Sequence, residues 1–439
     1  MTALENKGLL QSNMHFNIRW MMWFSLILLH LVTSFHRVSF NVVADLLTAE
    51  FNLTGAGLGN LAAAYTYMYV LMQIPGGILV DRLGPRRIAL LTGLAMAVGS
   101  IMIGFAPSAA FVFLGRMLVG FGGSVVLINI FKFQAAWFRS TEFATMSGFA
   151  LLISTSGALL AATPLAIAVS AYGWRTSFIA FGLMTILVAI FCLIIVRNSP
   201  GVKYGVTINR PNEESVKDEP VKFNLQAVKT VLSNRRLWIP FLINLGTYSG
   251  FVVFAGTWGV SYLVHVYGIG IEEASGFMVV AYIGYMVGAP SAGAISDRIG
   301  SRKTPAVVLI GLAALFWLAL AAWPGGLLPL WLIYFLCVLL GLGGAATVLS
   351  FPMAREVSIP GYTGLVTAAV NLGVFLGMAI LQPLFGYILD QGWQGLIFDG
   401  ARIYPLEAYR IGFVVTFIFA ALSFVATLFY RESRTGEKA

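Results

Sequence analysis

Residues 77–87 read GILVDRLGPRR and residues 293–303 read GAISDRIGSRK. An Asp-Arg pair, a glycine two positions on and a closing basic pair recur at one spacing, almost half the chain apart. Each copy sits between two long apolar segments. A charged turn repeated at half-length between such segments predicts two homologous membrane halves.

Working outward, the apolar runs form a series. About 20 apolar residues cross a bilayer core as a helix. Twelve spans are expected, at 20–44, 57–80, 88–106, 110–137, 143–168, 176–196, 237–263, 274–296, 304–323, 328–352, 363–388 and 410–430. The expected fold is an all-α membrane protein of two pseudo-symmetric six-helix bundles, 1–196 and 237–439, joined by a linker over 197–236. Composition points the same way. The chain is 59% hydrophobic and 10% charged, with a mean hydropathy of +0.85, and a soluble protein needs a far more polar surface. The run from Trp20 is longer than a signal-peptide core and lacks a small-residue cleavage site, so it is expected to be the first span. Within the linker, Phe223, Leu225, Val228, Val231 and Leu232 make an apolar stripe beside Lys222, Lys229, Arg235 and Arg236. That pattern predicts a short amphipathic helix.

The net charge of +9 is a topology signal rather than a nucleic-acid footprint. Basic residues gather on one set of loops: Arg82, Arg86, Arg87, Arg139, the linker, Arg298, Arg302, Lys303 and Arg355. The opposite loops carry only Arg175, Arg402 and Arg410. The positive-inside rule then puts the basic side and both termini in the cytoplasm of a plasma (inner) membrane protein. Cys192 and Cys337 lie in apolar runs with no Cys/His spacing around them, so they read as buried hydrophobes and no metal or cofactor is expected. There is no phosphate-binding loop, HExxH or GxSxG, and the spans carry no nucleophile–base pair, so an enzyme is not expected.

With these features the chain resembles the major facilitator superfamily. The two cassettes match that family's loop motif after spans two and eight, and RMLVGFG at 116–122 matches its span-four motif. The resemblance implies two bundles, in a monomer, rocking about a central cavity. It implies a conformational latch built from Gly77, Asp81, Arg82, Gly84, Arg86, Asp297, Arg298 and Gly300. Gly77 is expected to let span two pack closely. Asp81 and Asp297 are expected to pair with arginines or with a helix N-terminus of the other half. The basic residues are expected at lipid headgroups. The family's span-five antiporter signature is incomplete: Gly148 and Gly157 have its separation, but ALLAATP follows.

Charges inside the spans point to the cargo. Arg37, Arg116 and Lys132 fall within spans, whereas Asp45 and Asp390 fall at helix ends. A central Arg or Lys is unfavourable by roughly 2.5–3.5 kcal/mol on insertion scales, so it persists where it meets water, a partner or a ligand. With no acid alongside, a small anionic solute is the expected partner. His30, Ser34, Arg37 and Asn41 share a helical face, as do Tyr65, Tyr69 and Gln73, and Asn129 and Lys132 are three apart. From the second half, Trp258 and Tyr262, Asn244 and Tyr248, and the face of Thr367, Asn371, Met378 and Gln382 are expected to supply shape. Substrate contact is expected from Arg37, Lys132, His30, Asn41, Tyr65, Tyr69, Asn129, Trp258, Tyr262 and Asn371. Arg116 is expected to tune helix packing or protonation.

The first half is also similar to the anion:cation symporter family. That family's span-one element reads SFHR here, Ser34 to Arg37; QIPGG stands at 73–77; and Lys132 precedes Trp137-Phe138. The resemblance implies that Arg37 and Lys132 hold a substrate carboxylate. The family's two coupling acids fall on His36 and Gly123, leaving His36, with Arg116, as the expected proton-coupling group. Organophosphate exchangers differ, since they use basic residues from both halves and span seven here has none. The expected function is secondary transport of a small organic anion, a carboxylate, by alternating access with proton symport. The alternatives are a multidrug or metabolite efflux carrier and a transporter-like ligand sensor.

Overall fold

One glycine sets the first turn of the repeated cassette. In the computed structural model, Gly84 takes φ +75°, a region closed to most side chains, and stands against the Asn198 side chain. It bends the segment Gln73–Gly104 (α4) between the end of span two and the start of span three, and Pro85 opens the new helix. In the second cassette Gly300, at φ +67°, ends the long helix Ile271–Ile299 (α13) in a left-handed cap. The structure describes residues 3–138, 140–198, 225–324, 326–357, 363–398 and 400–432. Arg139, Lys222, Phe223 and most of the expected linker lie outside them.

The chain is a succession of helices long enough to cross a bilayer. Ala3–Val38 (α1) and Phe40–Phe51 (α2) form the first crossing, and Gly55–Leu71 (α3) leads the second. Ala109–Trp137 (α5) crosses once; Ser140–Leu160 (α6) and Thr163–Tyr172 (α7) share a crossing broken before Pro164; Trp174–Ile195 (α8) follows. After the linker helix Leu225–Ser233 (α9), span seven is assembled from Trp238–Ile243 (α10), Ser249–Val253 (α11) and Gly259–Tyr267 (α12). Two π-helical turns, Asn244–Tyr248 and Phe254–Trp258, separate those pieces. Then come α13, Lys303–Ala322 (α14), Leu330–Gly344 (α15) with Ala346–Glu356 (α16), Thr363–Gln391 (α17) and Leu406–Leu428 (α18). A two-residue hairpin, Ile397–Phe398 (β1) with Ala401–Arg402 (β2), is the only sheet among the described residues.

Eleven of these segments are long and apolar enough to span by themselves. The twelfth expected span starts in α3, which stops at Leu71, four residues before Pro75. A proline at that position has no N–H for the Leu71 carbonyl. The rest of span two is therefore the first part of α4. The linker helix docks rather than floats. Val231 is buried in a cluster with Leu237, Ala354, Val366 and Val370, beneath α16 and α17.

Side chains pack the halves against each other at one end, the end far from the cassettes, hereafter the opposite face; the cassette end is the basic face. There α3 and α17 meet backbone to backbone. A Cβ on Gly386 would collide with the Gly55 carbonyl, and one on Gly59 would stand 2.7 Å from the Pro383 Cα. The Asp390 carboxylate, at the end of α17, accepts from the Gly55 N–H at 2.6 Å and the Ala56 N–H at 2.8 Å. Those are free N–H groups of the first turn of α3, so one acid of the second half caps a helix of the first. The Tyr404 hydroxyl also donates to Asp390. Beside this cap, Asp45 of α2 accepts from the Ser261 hydroxyl at 2.7 Å and lies 3.5 Å from His265 Nε2.

Candidate anion site

Arg37 lies in the middle of the first crossing, and among the described residues its guanidinium makes neither a hydrogen bond nor an ion pair; its Nε is buried without a partner. The groups within electrostatic reach are phenol hydroxyls from both halves: Tyr65 and Tyr69 on α3, Tyr248 at the end of the first π turn, and Tyr282 and Tyr285 on α13. Tyr282 Oη is likewise buried and unpartnered. The cage is rigid at its walls. Tyr69 stacks on Phe375 of α17 with ring centroids 3.7 Å apart, and Phe251 sits 5.1 Å from Tyr282 and 5.5 Å from Tyr285. Phenol and guanidinium are both donors toward a negative group. The guanidinium thus stands half-buried at the seam between the halves, with no counter-charge among the described residues.

The other two interior cations are engaged. Arg116 donates to three backbone carbonyls: Ala62 at 2.8 Å, His36 at 3.0 Å and Leu61 at 3.3 Å. Its guanidinium also lies over the Phe40 ring at 4.7 Å. It staples α1, α3 and α5 together, and no titratable acid is among its partners. Lys132 Nζ donates to the Val80 carbonyl at 3.0 Å and to Asp81 Oδ1 at 2.7 Å. The expectation that Lys132 has no acid alongside is therefore corrected: the cassette aspartate neutralises it. Asp81, expected to bridge to the other half, is paired within its own half.

Arg116→Gln should destabilise the protein by about 3 kcal/mol, the worth of a buried charged hydrogen-bond cluster, read as a lower unfolding temperature in detergent. The Lys132–Asp81 pair is more exposed, with 33% and 72% of the side chains accessible. A double-mutant cycle with Lys132→Met and Asp81→Asn should therefore give a coupling below about 1 kcal/mol in unfolding.

The family profile of the Major Facilitator Superfamily matches residues 22–311 and 257–439. The chain belongs to that superfamily. A probable sulfoacetate transporter, SauU, of Cupriavidus necator is 26% identical over 296 residues, spanning 65% of this chain and 68% of its own. A probable galactarate/D-glucarate transporter, GudP, of Bacillus subtilis is 26% identical over 298 residues, spanning 63% and 64%. Relatives of this kind agree with the resemblance to anion:cation symporters. Among solved structures, a bacterial homologue of the human lysosomal transporter Spinster, inward-facing and unoccupied, has a TM-score of 0.70 at 18% identity, covering 94% of this chain and 97% of its own. That likeness shows the superfamily fold, and the chain is an integral multi-pass membrane protein.

The remaining expected contacts divide. His30 is buried within reach of Arg37 and keeps Nδ1 unpartnered. Asn41 donates from Nδ2 to the Ala255 carbonyl of the second π turn at 2.8 Å, and its Oδ1 is free. Asn371 is partly exposed on α17, one turn from Phe375 on the same face. Other side chains turn away from the guanidinium. Asn129 donates to the Pro85 carbonyl and holds the cassette turn. Trp258 donates to the Gln382 carbonyl and stacks on Phe385. Tyr262 is enclosed by Tyr267, Tyr409 and Phe413. His36 points at Thr185 of α8, 3.4 Å from Nε2, so it is His30 and not His36 that faces Arg37.

In the cassettes, a Cβ on Gly77 would meet open space, so close packing is not its reason. Arg86 reaches the Leu193 carbonyl at 2.8 Å, tying the first turn to the end of α8. Asp297 pairs with Arg302 at 2.5 Å within its own cassette, and Arg298 and Arg82 are exposed.

Proposed function

We propose that this protein is a secondary carrier of a small organic anion, with Arg37 holding the carboxylate. The observation that carries the reading is the guanidinium in the membrane interior, unpaired among the described residues and faced by hydroxyl donors from both halves and by His30. A site between two bundles is where alternating access exposes a ligand to each side in turn. Relatives named for sulfoacetate and for galactarate and glucarate support an organic acid over a drug-like cation. The basic face lies in the cytoplasm, with both termini, by the distribution of Lys and Arg. The halves are joined at the opposite face, where α3 meets α17 and Asp390 caps α3.

The test is uptake of labelled carboxylates into proteoliposomes holding the full chain, beside neutral amide analogues, with and without an imposed pH gradient. Saturable uptake of at least one acid, but not of its amide, is expected. Stimulation by an inward proton gradient would establish symport, and unchanged rates would remove the proton from the scheme. Failure of every acid in the panel to move would refute the carrier reading.

A further inference from the structure

Charge balance at the site defines its cargo more narrowly. Three cations sit in the interior of the spans, and among the described residues Arg37 alone is open. Arg116 is held by three carbonyls, and Lys132 is neutralised by Asp81. The acids nearest the seam are also committed: Asp45 to Ser261 and His265, Asp390 to the first turn of α3. The site therefore presents one permanent positive charge, from Arg37, beside His30 and a wall of phenol donors: Tyr65, Tyr69, Tyr248, Tyr282 and Tyr285. We infer that the site selects monoanions, one carboxylate on Arg37 and an uncharged, hydroxyl-bearing body against the tyrosines. This rests on the anion-carrier reading.

The physical reason is the second charge. A dicarboxylate seated with one end on Arg37 places its other end among phenols and the rings of Phe251 and Phe375. Phenols give that carboxylate hydrogen bonds but no counter-charge, and it surrenders water to receive them. Hydroxyl groups at the same place exchange neutral hydrogen bonds with tyrosine, and the C–H faces of a polyol pack on its ring.

Equilibrium binding to the purified full-length protein in detergent tests this, using pairs matched in skeleton: D-gluconate with D-glucarate, hexanoate with adipate, and butyrate with succinate. In each pair that binds, the monoanion is expected to bind about 10- to 100-fold tighter at neutral pH. Tyr285→Lys places a second cation in the cage and should narrow or invert that ratio by about tenfold. Dianions binding the parent as tightly as their monoanionic partners would overturn the inference and leave the carrier reading standing. No detectable binding by any of the six acids would remove the anion site itself, and the carrier reading with it.

Discussion

Arg37→Gln should abolish substrate transport while making the protein harder to unfold. Among the described residues the guanidinium has no protein partner to lose, so removing it relieves the roughly 2.5–3.5 kcal/mol that a charge in the membrane interior costs. Truncating the charged partner of a bound carboxylate instead takes about 3 kcal/mol from binding, or roughly 100-fold. Arg37→Lys keeps the charge but not the planar fork and should fall between the two. Uptake and thermal unfolding on the same preparations check both signs. The contrast with Arg116 is the sharper test. Both are interior arginines of the first half, but Arg116 holds three carbonyls, so its loss should lower the unfolding temperature. Equal destabilisation by the two substitutions would mean that Arg37 has structural partners after all.

Gly386→Val should stop the transport cycle without destroying the site. Its side chain would collide with the Gly55 carbonyl, where α3 and α17 meet backbone to backbone. Overpacking a tight contact costs about 1–3 kcal/mol. That penalty falls only on the state in which the opposite face is closed, so it shifts the population toward the alternative by roughly tenfold or more. Thr48 reports the change. It is buried on the face of α2 that carries Asn41 and Asp45, both of which touch the second half. A cysteine at Thr48 should be protected from an impermeant maleimide in the parent and modified in the Gly386→Val protein, while uptake drops at least about tenfold. Full uptake with unchanged protection would show that closure there is not part of the cycle.

The architecture was legible because its signals are repetitive and composition-wide. The duplicated cassette, the apolar runs and the lopsided distribution of Lys and Arg each reflect bilayer physics acting on many residues. Arg37 was legible for a related reason, since a charge amid apolar residues needs a cause. What the sequence concealed was which interior charges were already matched. Asp81 lies about 50 positions from Lys132, and carbonyls such as those around Arg116 leave no trace in side-chain identity. The expected residues of span seven divide for a geometric reason. Each π turn, at Asn244–Tyr248 and Phe254–Trp258, inserts a residue into the helix. One residue rotates the face by roughly 100°, so Tyr248 lies within electrostatic reach of Arg37 whereas Trp258 and Tyr262 pack into their own half. Tyr282 and Tyr285 carry a readable signal, two phenols three apart on one span.

The most direct measurement is a structure of the full chain with a bound organic acid. The substrate carboxylate should lie on the Arg37 guanidinium with N···O separations of about 2.8 Å, ringed by Tyr65, Tyr69, Tyr248 and Tyr282, with Lys132 still on Asp81. An acid bound elsewhere, with Arg37 bare or turned onto a protein carboxylate, would contradict the account.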